Sequence, residues 1–258
     1  MITAYTLFSG SSGNCTYVTS GKTEILIDAG KSCLAIERAL NALGTSLSSI
    51  SDIFVTHEHS DHTCGLEVIS KKYNIPVHFA YPSYDKAVHS GTYLKRSAVR
   101  HEVIFEKRVG NVLIKSFEVP HDSMQNLGYI IDDGEDIFGT ATDMGHITES
   151  LANELKICRC ALIEANHDKK MLISGPYPQF LKERILSQKG HLSNENCARL
   201  ACFLADNGVK CVTLGHLSKE NNLPKLAYDA VDSLLKANGL TVDLSVASPD
   251  EAVLLTRG

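Results

Sequence analysis

Three histidines and two carboxylates stand within seven residues, in the segment Thr56-His57-Glu58-His59-Ser60-Asp61-His62. Imidazole nitrogens bind Zn²⁺ and neighbouring transition metals well, and a carboxylate bridges two ions or completes a harder position. A run of this kind offers more ligands than one ion uses, so it predicts a site for two adjacent ions. The alternative is a histidine-rich surface loop, or a helix N-terminus with Asp61 as the capping acceptor.

The elements next to these residues indicate where they lie. The motif follows an apolar, β-branched run at 52–56, which is typical of a buried strand that ends at a loop. Three later residues also stand directly beyond apolar, strand-like runs: His121, Asp143 and His216. Because strand ends meet at one edge of a sheet, where α/β proteins usually build sites, we expect these residues to join the motif.

Hydrophobic periodicity predicts the strands and helices that hold this site. Strand-like runs cover 2–8, 15–19, 24–29, 52–56, 102–106, 111–119, 127–132, 136–142, 160–164, 209–214, 242–247 and 252–256. Helical patterns cover 33–43, 65–73, 83–89, 147–156, 178–188, 194–207 with Ser193 as N-cap, and 223–237. A β meander followed by βα units predicts an α/β fold in which sheets pack together with helices outside.

The whole chain has 258 residues and 43% hydrophobic content, and no linker-like change of composition divides it. We predict one domain over residues 1–258. No apolar stretch has the ~20 residues that a membrane span needs, and Met1 to Tyr5 lack the features of a signal peptide. The prediction is a cytoplasmic protein without membrane association.

Eight cysteines, several of them inside apolar runs and none in a C-x-x-C pair, predict buried, reduced thiols more than disulfides. Cys158-x-Cys160 is a weak metal pair. The net charge of −5 argues against a surface that binds nucleic acid over a wide area. A local basic patch at Tyr93-Leu94-Lys95-Arg96 with Arg100 and His101 remains a candidate, and an ordinary solvated face is the alternative.

The order of these residues resembles the pattern of metallo-β-lactamase-fold hydrolases. The resemblance implies an αββα sandwich of two mixed β-sheets flanked by helices. It also implies that one divalent ion, Zn²⁺ or Mn²⁺, is held by His57, His59 and His121, and a second by Asp61, His62 and His216. Asp143 would bridge the two ions. Asp28, after the run at 24–29, would support the metal loop through hydrogen bonds without ligating.

Asp61 and the full set of seven ligands favour a two-metal phosphodiesterase over a β-lactamase or a thioesterase, although the fold hosts all three. Paired ions generate hydroxide near neutral pH and neutralise charge on a pentacoordinate phosphorus. The expected nucleophile is therefore a metal-bridging hydroxide. Rival hypotheses are a PhnP-like or glyoxalase II-like hydrolase of a small phosphodiester or thioester, and a non-catalytic metal-binding regulatory protein.

The loop Phe8-Ser9-Gly10-Ser11-Ser12-Gly13-Asn14-Cys15 and two Gly-His-Leu-Ser copies, at 190–193 and 215–218, are similar to the WalJ/YycJ family of DNA exonucleases. That similarity implies 5′ to 3′ degradation of DNA, single-stranded or at 5′ ends, and a role in DNA repair. The interval between Asp143 and His216 leaves no room for the β-CASP insertion of larger nucleases. Metal identity, strand polarity, preference for DNA over RNA and oligomeric state do not follow from residue spacing.

His191 matches the histidine that approaches the leaving group in ribonuclease Z and PhnP-type phosphodiesterases. A histidine near its reference pKa can donate a proton to the departing 3′-oxygen, and Glu164, in the strand-like run at 160–164, is the candidate to orient it. The alternative for His191 is a helix-capping residue. Ser11, Ser12 and Asn14 are candidates for binding substrate phosphate, and a plain polar turn between two strands is the alternative.

Overall fold

The protein is described by a computed structural model that covers residues 1–91 and 98–256. In chain order its strands are β1 Thr3–Phe8, β2 Cys15–Ser20, β3 Thr23–Ile27, β4 Asp52–Phe54, β5 Val77–Ala80, β6 Ala98–His101, β7 Glu106–Val109, β8 Val112–Glu118, β9 Leu127–Asp132, β10 Ile137–Ala141, β11 Cys160–Glu164, β12 Cys211–Gly215, β13 Asp243–Val246 and β14 Val253–Leu254.

The helices are α1 Cys33–Ala42, α2 Ser60–Thr63, α3 Leu66–Tyr73, α4 Tyr81–His89, α5 Glu149–Leu155, α6 Lys169–Ser174, α7 Gln179–Leu186, α8 Asn194–Asp206 and α9 Pro224–Ala237, with a 3₁₀ turn at Leu47–Ser49. Side-chain caps fix several N-termini. Ser193 begins α8 as predicted, since its side chain accepts a hydrogen bond from the Asn196 amide. Thr148 caps α5 in the same way.

The strands form two mixed sheets, in the orders β14-β1-β2-β3-β4-β5-β6 and β13-β12-β11-β10-β9-β8-β7. Each sheet combines an antiparallel meander with parallel strands joined by helical crossovers. The carboxyl ends of β3, β4, β10, β11 and β12 are followed by the residues that the sequence singled out. This topology confirms the predicted α/β sandwich of two mixed sheets with helices outside.

Three apolar cores hold the layers together. The middle core lies between the two sheets and includes Phe54 from the first sheet and Tyr129 and Phe138 from the second. A second core packs the first sheet against α1 and α3, and a third packs the other sheet against α5, α8 and α9. Both sheets are therefore covered on both faces, which holds the ends of their strands in fixed positions.

Several local predictions were wrong. The strand predicted at 102–106 is replaced by β6, which ends before it, and β7, which begins at its last residue, Glu106. The elements β5, α2 and α6 were not predicted. β5 was missed because Val77-His78-Phe79-Ala80 is short and contains a histidine, yet all four side chains are buried. The organisation as one domain stays a prediction. Among the described residues, no helix has both the length and the apolar character to cross a bilayer.

The prediction of reduced, buried cysteines was wrong in part. Cys160 and Cys211 are joined by a disulfide between β11 and β12, where they are paired directly across the two parallel strands. Cys64 is a free thiol on the surface, and Cys158 is a free, buried thiol. With Cys160 in the disulfide and Cys158 packed in the third core, this pair forms no metal site.

Candidate metal centre

The loops beyond the parallel strands meet in one cleft and bring all seven predicted ligands together. Four overlapping groups of side chains place their ligand atoms within 4.8 Å of one another. These groups are His57, His59 and His121; His57, His62 and Asp143; Asp61, His62 and His216; and Asp143, Glu164, His191 and His216. Asp143 belongs to two of these groups, one with His57 and His62 and one with Glu164, His191 and His216, so its carboxylate lies next to histidines that follow strands of both sheets.

Individual distances show how closely the ligand atoms approach. The His57 Nε2 and His59 Nδ1 atoms are 3.0 Å apart. Asp143 Oδ2 is 3.1 Å from His62 Nε2, and Asp143 Oδ1 is 3.6 Å from His121 Nε2. On the other side, Asp61 Oδ2 lies 3.5 Å from His62 Nε2. These nitrogens and oxygens therefore lie close enough together to share metal ions.

Buried atoms without hydrogen bonds test whether the ligand cluster fits metal ions. Among residues 1–91 and 98–256, His121 Nε2, Asp143 Oδ2 and His216 Nε2 are buried and make no hydrogen bond. Leaving such an atom unsatisfied costs about 1–3 kcal/mol, and more for a charged group. All three face the ligand cluster, and a donor set of imidazoles and carboxylates suits divalent ions such as Zn²⁺ and Mn²⁺. The residues present therefore fit a metal centre.

In His62, His121 and His216, the ring nitrogen Nδ1 is held by a hydrogen-bond acceptor. His62 Nδ1 donates to Asp28 Oδ2 at 2.7 Å, His121 Nδ1 donates to the Gly190 carbonyl at 3.1 Å, and His216 Nδ1 donates to Glu164 Oε1 at 2.7 Å. Carboxylate and carbonyl oxygens can only accept, so each Nδ1 carries the proton and each Nε2 carries a lone pair that can bind an ion.

Asp28 ties the end of β3 to the metal loop. Its carboxylate accepts from the Thr56 amide at 2.8 Å and from the Thr56 hydroxyl at 3.0 Å, in addition to His62. Burial raises the pKa of this carboxyl, although His62 and Thr56 oppose the shift. The Asp28 carboxylate therefore holds both Thr56 and His62 by hydrogen bonds, and its support of a metal loop stays a prediction.

Glu164, at the end of β11, connects both Gly-His-Leu-Ser copies. Its Oε1 accepts from His191 Nδ1 at 2.9 Å and from His216 Nδ1 at 2.7 Å, and its Oε2 accepts from the amides of Met144 and Leu192 at 2.7 and 2.9 Å. Burial alone would raise the pKa of Glu164, but the two histidines lower it to about 2. Burial lowers the pKa of His191, and the Glu164 carboxylate outweighs burial and raises it.

Three site residues adopt a left-handed backbone that non-glycine residues rarely take. Asp28, Asp143 and His216 have φ of 62°, 56° and 54°. Each such residue costs on the order of 1–3 kcal/mol, which persists where function and packing require it. Asp, Asn and His tolerate this region better than other side chains. The sharp turns aim Asp143 and His216 into the cleft and Asp28 at the His62 ring, directly after their strands.

Comparison with known proteins places the chain in a family. A family model described as "Beta-lactamase superfamily domain" matches residues 23–216. Exodeoxyribonuclease WalJ of Streptococcus pneumoniae serotype 2 is 38% identical, over 97% of this chain and 96% of that protein. Exodeoxyribonuclease YycJ of Bacillus anthracis is 33% identical, over 92% of this chain and 90% of its own. The chain belongs to the WalJ/YycJ family of the beta-lactamase superfamily.

Solved structures agree on the fold. The metallo-beta-lactamase fold protein YhfI from Bacillus subtilis aligns with a TM-score of 0.74 at 14% identity, covering 98% of this chain and 99% of that chain. At so low an identity the likeness concerns the fold alone. Together with the family match, it confirms the metallo-β-lactamase fold and the resemblance to WalJ/YycJ proteins.

In this member of the WalJ/YycJ family, the loop between β1 and β2 lies beside the metal centre. Ser11 lines the cleft, and Ser12 is exposed and accepts a hydrogen bond from Lys31 at 3.0 Å. Asn14 is buried, and its amide nitrogen lies 3.1 Å from His62 Nε2 and 3.4 Å from Asp61 Oδ2. Asn14 thus contacts the ligand cluster, and substrate binding by the three residues stays a prediction.

Several residues of the cleft were not predicted. The Ser9 hydroxyl accepts from the His216 amide at 2.8 Å, and the Asn126 amide donates to the carbonyl of Asp143 at 2.9 Å. Arg184 on α7 pairs with Asp122, and Tyr177 lines the same cleft. Only Ser9 could have been found from the sequence, because it stands in the loop at 8–15 that resembles the family. Asn126, Arg184 and Tyr177 stand in no motif.

The predicted basic patch is only partly within the described residues. Tyr93, Leu94, Lys95 and Arg96 lie outside them. His101 stacks on Phe105 with 3.8 Å between ring centroids, and burial and His78 lower its pKa to about 4. Near neutral pH, His101 therefore contributes no positive charge, while the Arg100 guanidinium lies over the Tyr84 ring.

Proposed function

We propose that this protein is a metal-dependent hydrolase that degrades DNA from the 5′ end, as an exodeoxyribonuclease. The observation that carries the proposal is the Asp143 carboxylate, whose oxygens lie 3.1 Å from His62 Nε2 and 3.6 Å from His121 Nε2, which are ligands of the two different proposed ions. The names of the two relatives, both exodeoxyribonucleases, support DNA as the substrate. A role in DNA repair belongs to the same proposal.

In this proposal the first ion is held by His57, His59 and His121 and the second by Asp61, His62 and His216, with Asp143 between them. Two divalent ions, Zn²⁺ or Mn²⁺, would activate water near neutral pH and neutralise charge on the phosphoryl oxygens. Asp61 keeps its carboxylate ionised beside His62, because the cluster holds its pKa well below the usual range despite burial. An ionised Asp61 is required for it to ligate.

His191 is the proposed general acid. It lines the cleft, and its Nδ1 donates to Glu164, so its Nε2 is the ring nitrogen available to a substrate. The raised pKa favours the protonated form that can donate to a departing 3′-oxygen. Glu164 orients the ring and touches no substrate in this scheme, so it acts as a positioning residue for both His191 and His216.

The function is tested with end-labelled oligonucleotides. We expect protein loaded with Mn²⁺ or Zn²⁺ to release mononucleotides from the 5′ end of DNA, and EDTA to stop the reaction. Bis(p-nitrophenyl) phosphate and a glutathione thioester are assayed in the same sample. Turnover of either small substrate without DNA degradation would favour the small-substrate hydrolase, and turnover of none would favour a regulatory metal protein.

Replacing His191 with alanine should act through the leaving group. We expect kcat/KM for an oligonucleotide to fall roughly 10²-fold to 10⁴-fold, as is typical for removal of a general acid. A nucleotide p-nitrophenyl ester should lose far less, because p-nitrophenolate departs without a proton. Equal losses on both substrates would show that His191 has a structural role, such as capping, in place of acid catalysis.

A further inference from the structure

Strand β6 lies at an edge of the first sheet. Among residues 1–91 and 98–256, its one strand neighbour is β5, with which it pairs in parallel from Ala98 to His101. The backbone N–H and C=O groups on its other side therefore point away from the sheet. An edge of this kind can pair with a further strand unless charges or bulges prevent it. We call residues 98–104 the β6 edge.

Exposed apolar side chains accompany the β6 edge. Tyr81 and Ile104 are each 53% exposed, Val99 is 38% exposed and Val103 is 36% exposed. Tyr81, Val103 and Ile104 line a groove of about 640 Å³ between the first turn of α4 and the end of the β6 edge. A group of apolar side chains beside an unpaired strand is typical of an interaction surface.

The sequence of the β6 edge, Ala-Val-Arg-His-Glu-Val-Ile, is complementary to itself when one copy is reversed. If two copies lie antiparallel with His101 on a two-fold axis, Arg100 faces Glu102 of the other copy and Val99 faces Val103. Each contact then occurs twice, as a two-fold interface requires. Side chains directly opposite in an antiparallel pair have Cβ atoms about 4.5–5.5 Å apart, which lets these charges pair.

The two charged side chains share one face of the sheet, because they are two positions apart on an extended chain. The Arg100 guanidinium lies 5.5 Å from the centroid of the Tyr84 ring on α4, and Glu102 lines the groove beside α4. In the part of the chain that the structure describes, neither side chain makes an ion pair. Charges of one sign would repel a second copy, whereas opposite signs in this order attract it.

Contacts on the inner side of β6 hold the strand in place. His78 Nε2 donates to Asp52 Oδ1 at 2.7 Å, and His101 Nε2 donates to His78 Nδ1 at 2.8 Å. The His101 ring also stacks on Phe105, with 3.8 Å between the ring centroids. The backbone at the two-fold axis is therefore ordered before a second copy binds, which lowers the entropic cost of association.

We propose that the β6 edge binds the β6 edge of a second copy of this chain, so that the first sheets of two copies join into one. The contact has two Arg100–Glu102 ion pairs and two Val99–Val103 pairs. Because the chain bends at 103–104, the paired segment is short. We therefore expect a weak dimer, with Kd roughly 10–100 µM. The groove and the metal cleft share no lining residue, so the inference is independent of the proposed hydrolase function.

Reversal of charge on the β6 edge is the first test, measured by sedimentation velocity over a range of protein concentrations. Arg100→Glu should raise the dimer Kd at least about tenfold, because it sets two pairs of like charges opposite each other. Glu102→Arg should have the same effect for the same reason. The control is Arg38→Glu, at an exposed position of α1, which should dimerise like the wild type.

A mixing experiment separates charge pairing from damage to the fold. In an equimolar mixture of the Arg100→Glu and Glu102→Arg chains, every pair across the axis has opposite signs. We expect a heterodimer with Kd within about threefold of the wild-type value. A chain with both substitutions should dimerise with itself again. A misfolded variant recovers in neither experiment, and if both stay monomeric while the wild type dimerises, the proposed pairing is wrong.

The apolar groove and the strand pairing are tested separately. Ile104→Lys should raise the dimer Kd about tenfold. Its matched control is Ile157→Lys, since Ile104 and Ile157 are 53% and 52% exposed. Amide hydrogens of β6 should exchange more slowly above the dimer Kd than below it, because pairing protects them. Exchange in β13, at an edge of the second sheet, should not change with concentration.

These results are distinguishable from failure of the proposed function. The monomeric variants should hydrolyse bis(p-nitrophenyl) phosphate like the wild type, because their substitutions lie outside the metal cleft. If the wild type stays monomeric well above the expected Kd, or its dimer is insensitive to every β6-edge variant, the inference fails and the proposed function stands. If the dimer behaves as expected but no metal-loaded sample hydrolyses a substrate, only the proposed function fails.

Discussion

Asp143→Asn is expected to lower kcat/KM for DNA by roughly 10³-fold or more, because metal-ion stabilisation of a transition state supplies several kcal/mol. The two carboxylate oxygens of Asp143 lie 3.1 Å from His62 Nε2 and 3.6 Å from His121 Nε2, so this side chain joins the two predicted ion positions. A neutral amide offers one oxygen and no charge. Metal content measured on purified protein should fall together with activity.

Asparagine is chosen because it keeps the fold. Asp143 has φ of 56°, a region that Asn tolerates, so the backbone turn after β10 needs no adjustment. The thermal unfolding of the variant, measured with EDTA present, should match that of the wild type. The exposed Asp206→Asn serves as a control for the substitution itself. Full activity with normal metal content in Asp143→Asn would contradict the dinuclear site.

Glu164→Gln is expected to lower stability, metal binding and turnover together, through the groups that it positions. The glutamine carbonyl can still accept from His191 and His216, but its amide cannot accept from the backbone amides of Met144 and Leu192. Each buried donor left without an acceptor costs about 1–3 kcal/mol. Loss of the charge behind His216 should also weaken metal binding about 10-fold to 100-fold, as for other acceptors behind metal histidines.

The measurements are denaturant unfolding, metal titration and kcat/KM for DNA. Glu154→Gln is the matched control, since Glu154 pairs only with Lys115 in the described part of the chain and lies away from the cleft. We expect the control to change stability by less than about 1 kcal/mol. If Glu164→Gln keeps wild-type metal affinity and stability, the shared carboxylate does not position these histidines.

The ligand positions were accessible from the sequence because their signals are local. A run with His57, His59 and His62 is hard to explain by packing alone. Strand-like runs rich in Val, Ile and Leu indicate where the later ligands stand, because each of these follows the end of such a run. The structure gathers these residues in one cleft, and their roles as ligands stay predictions. Strand ends thus give good estimates of site positions even when strand lengths are off by several residues.

The supporting contacts could not be predicted, because they depend on which loops meet. Asn126, just before β9, bonds the Asp143 carbonyl just after the neighbouring strand β10, and Arg184 on α7 pairs with Asp122 in the loop after β8. Neither residue stands in a pattern that sets it apart from other polar residues on a surface. The same holds for β5, where His78 is buried against Phe54 and hydrogen-bonded to Asp52, a contact that requires the neighbouring strand.

The division of the proposed ligands between the sheets has a consequence for the chain as a polymer. His57, His59, Asp61 and His62 follow strands of the first sheet, and His121, Asp143 and His216 follow strands of the second. Ions bound between them would hold the N-terminal and C-terminal halves together. The free energy of metal binding would then stabilise the association of the two halves. If the chain were cut between β6 and β7, the two fragments would bind each other more tightly in the presence of the metal ion than in the presence of a chelator. Their association would therefore depend on metal.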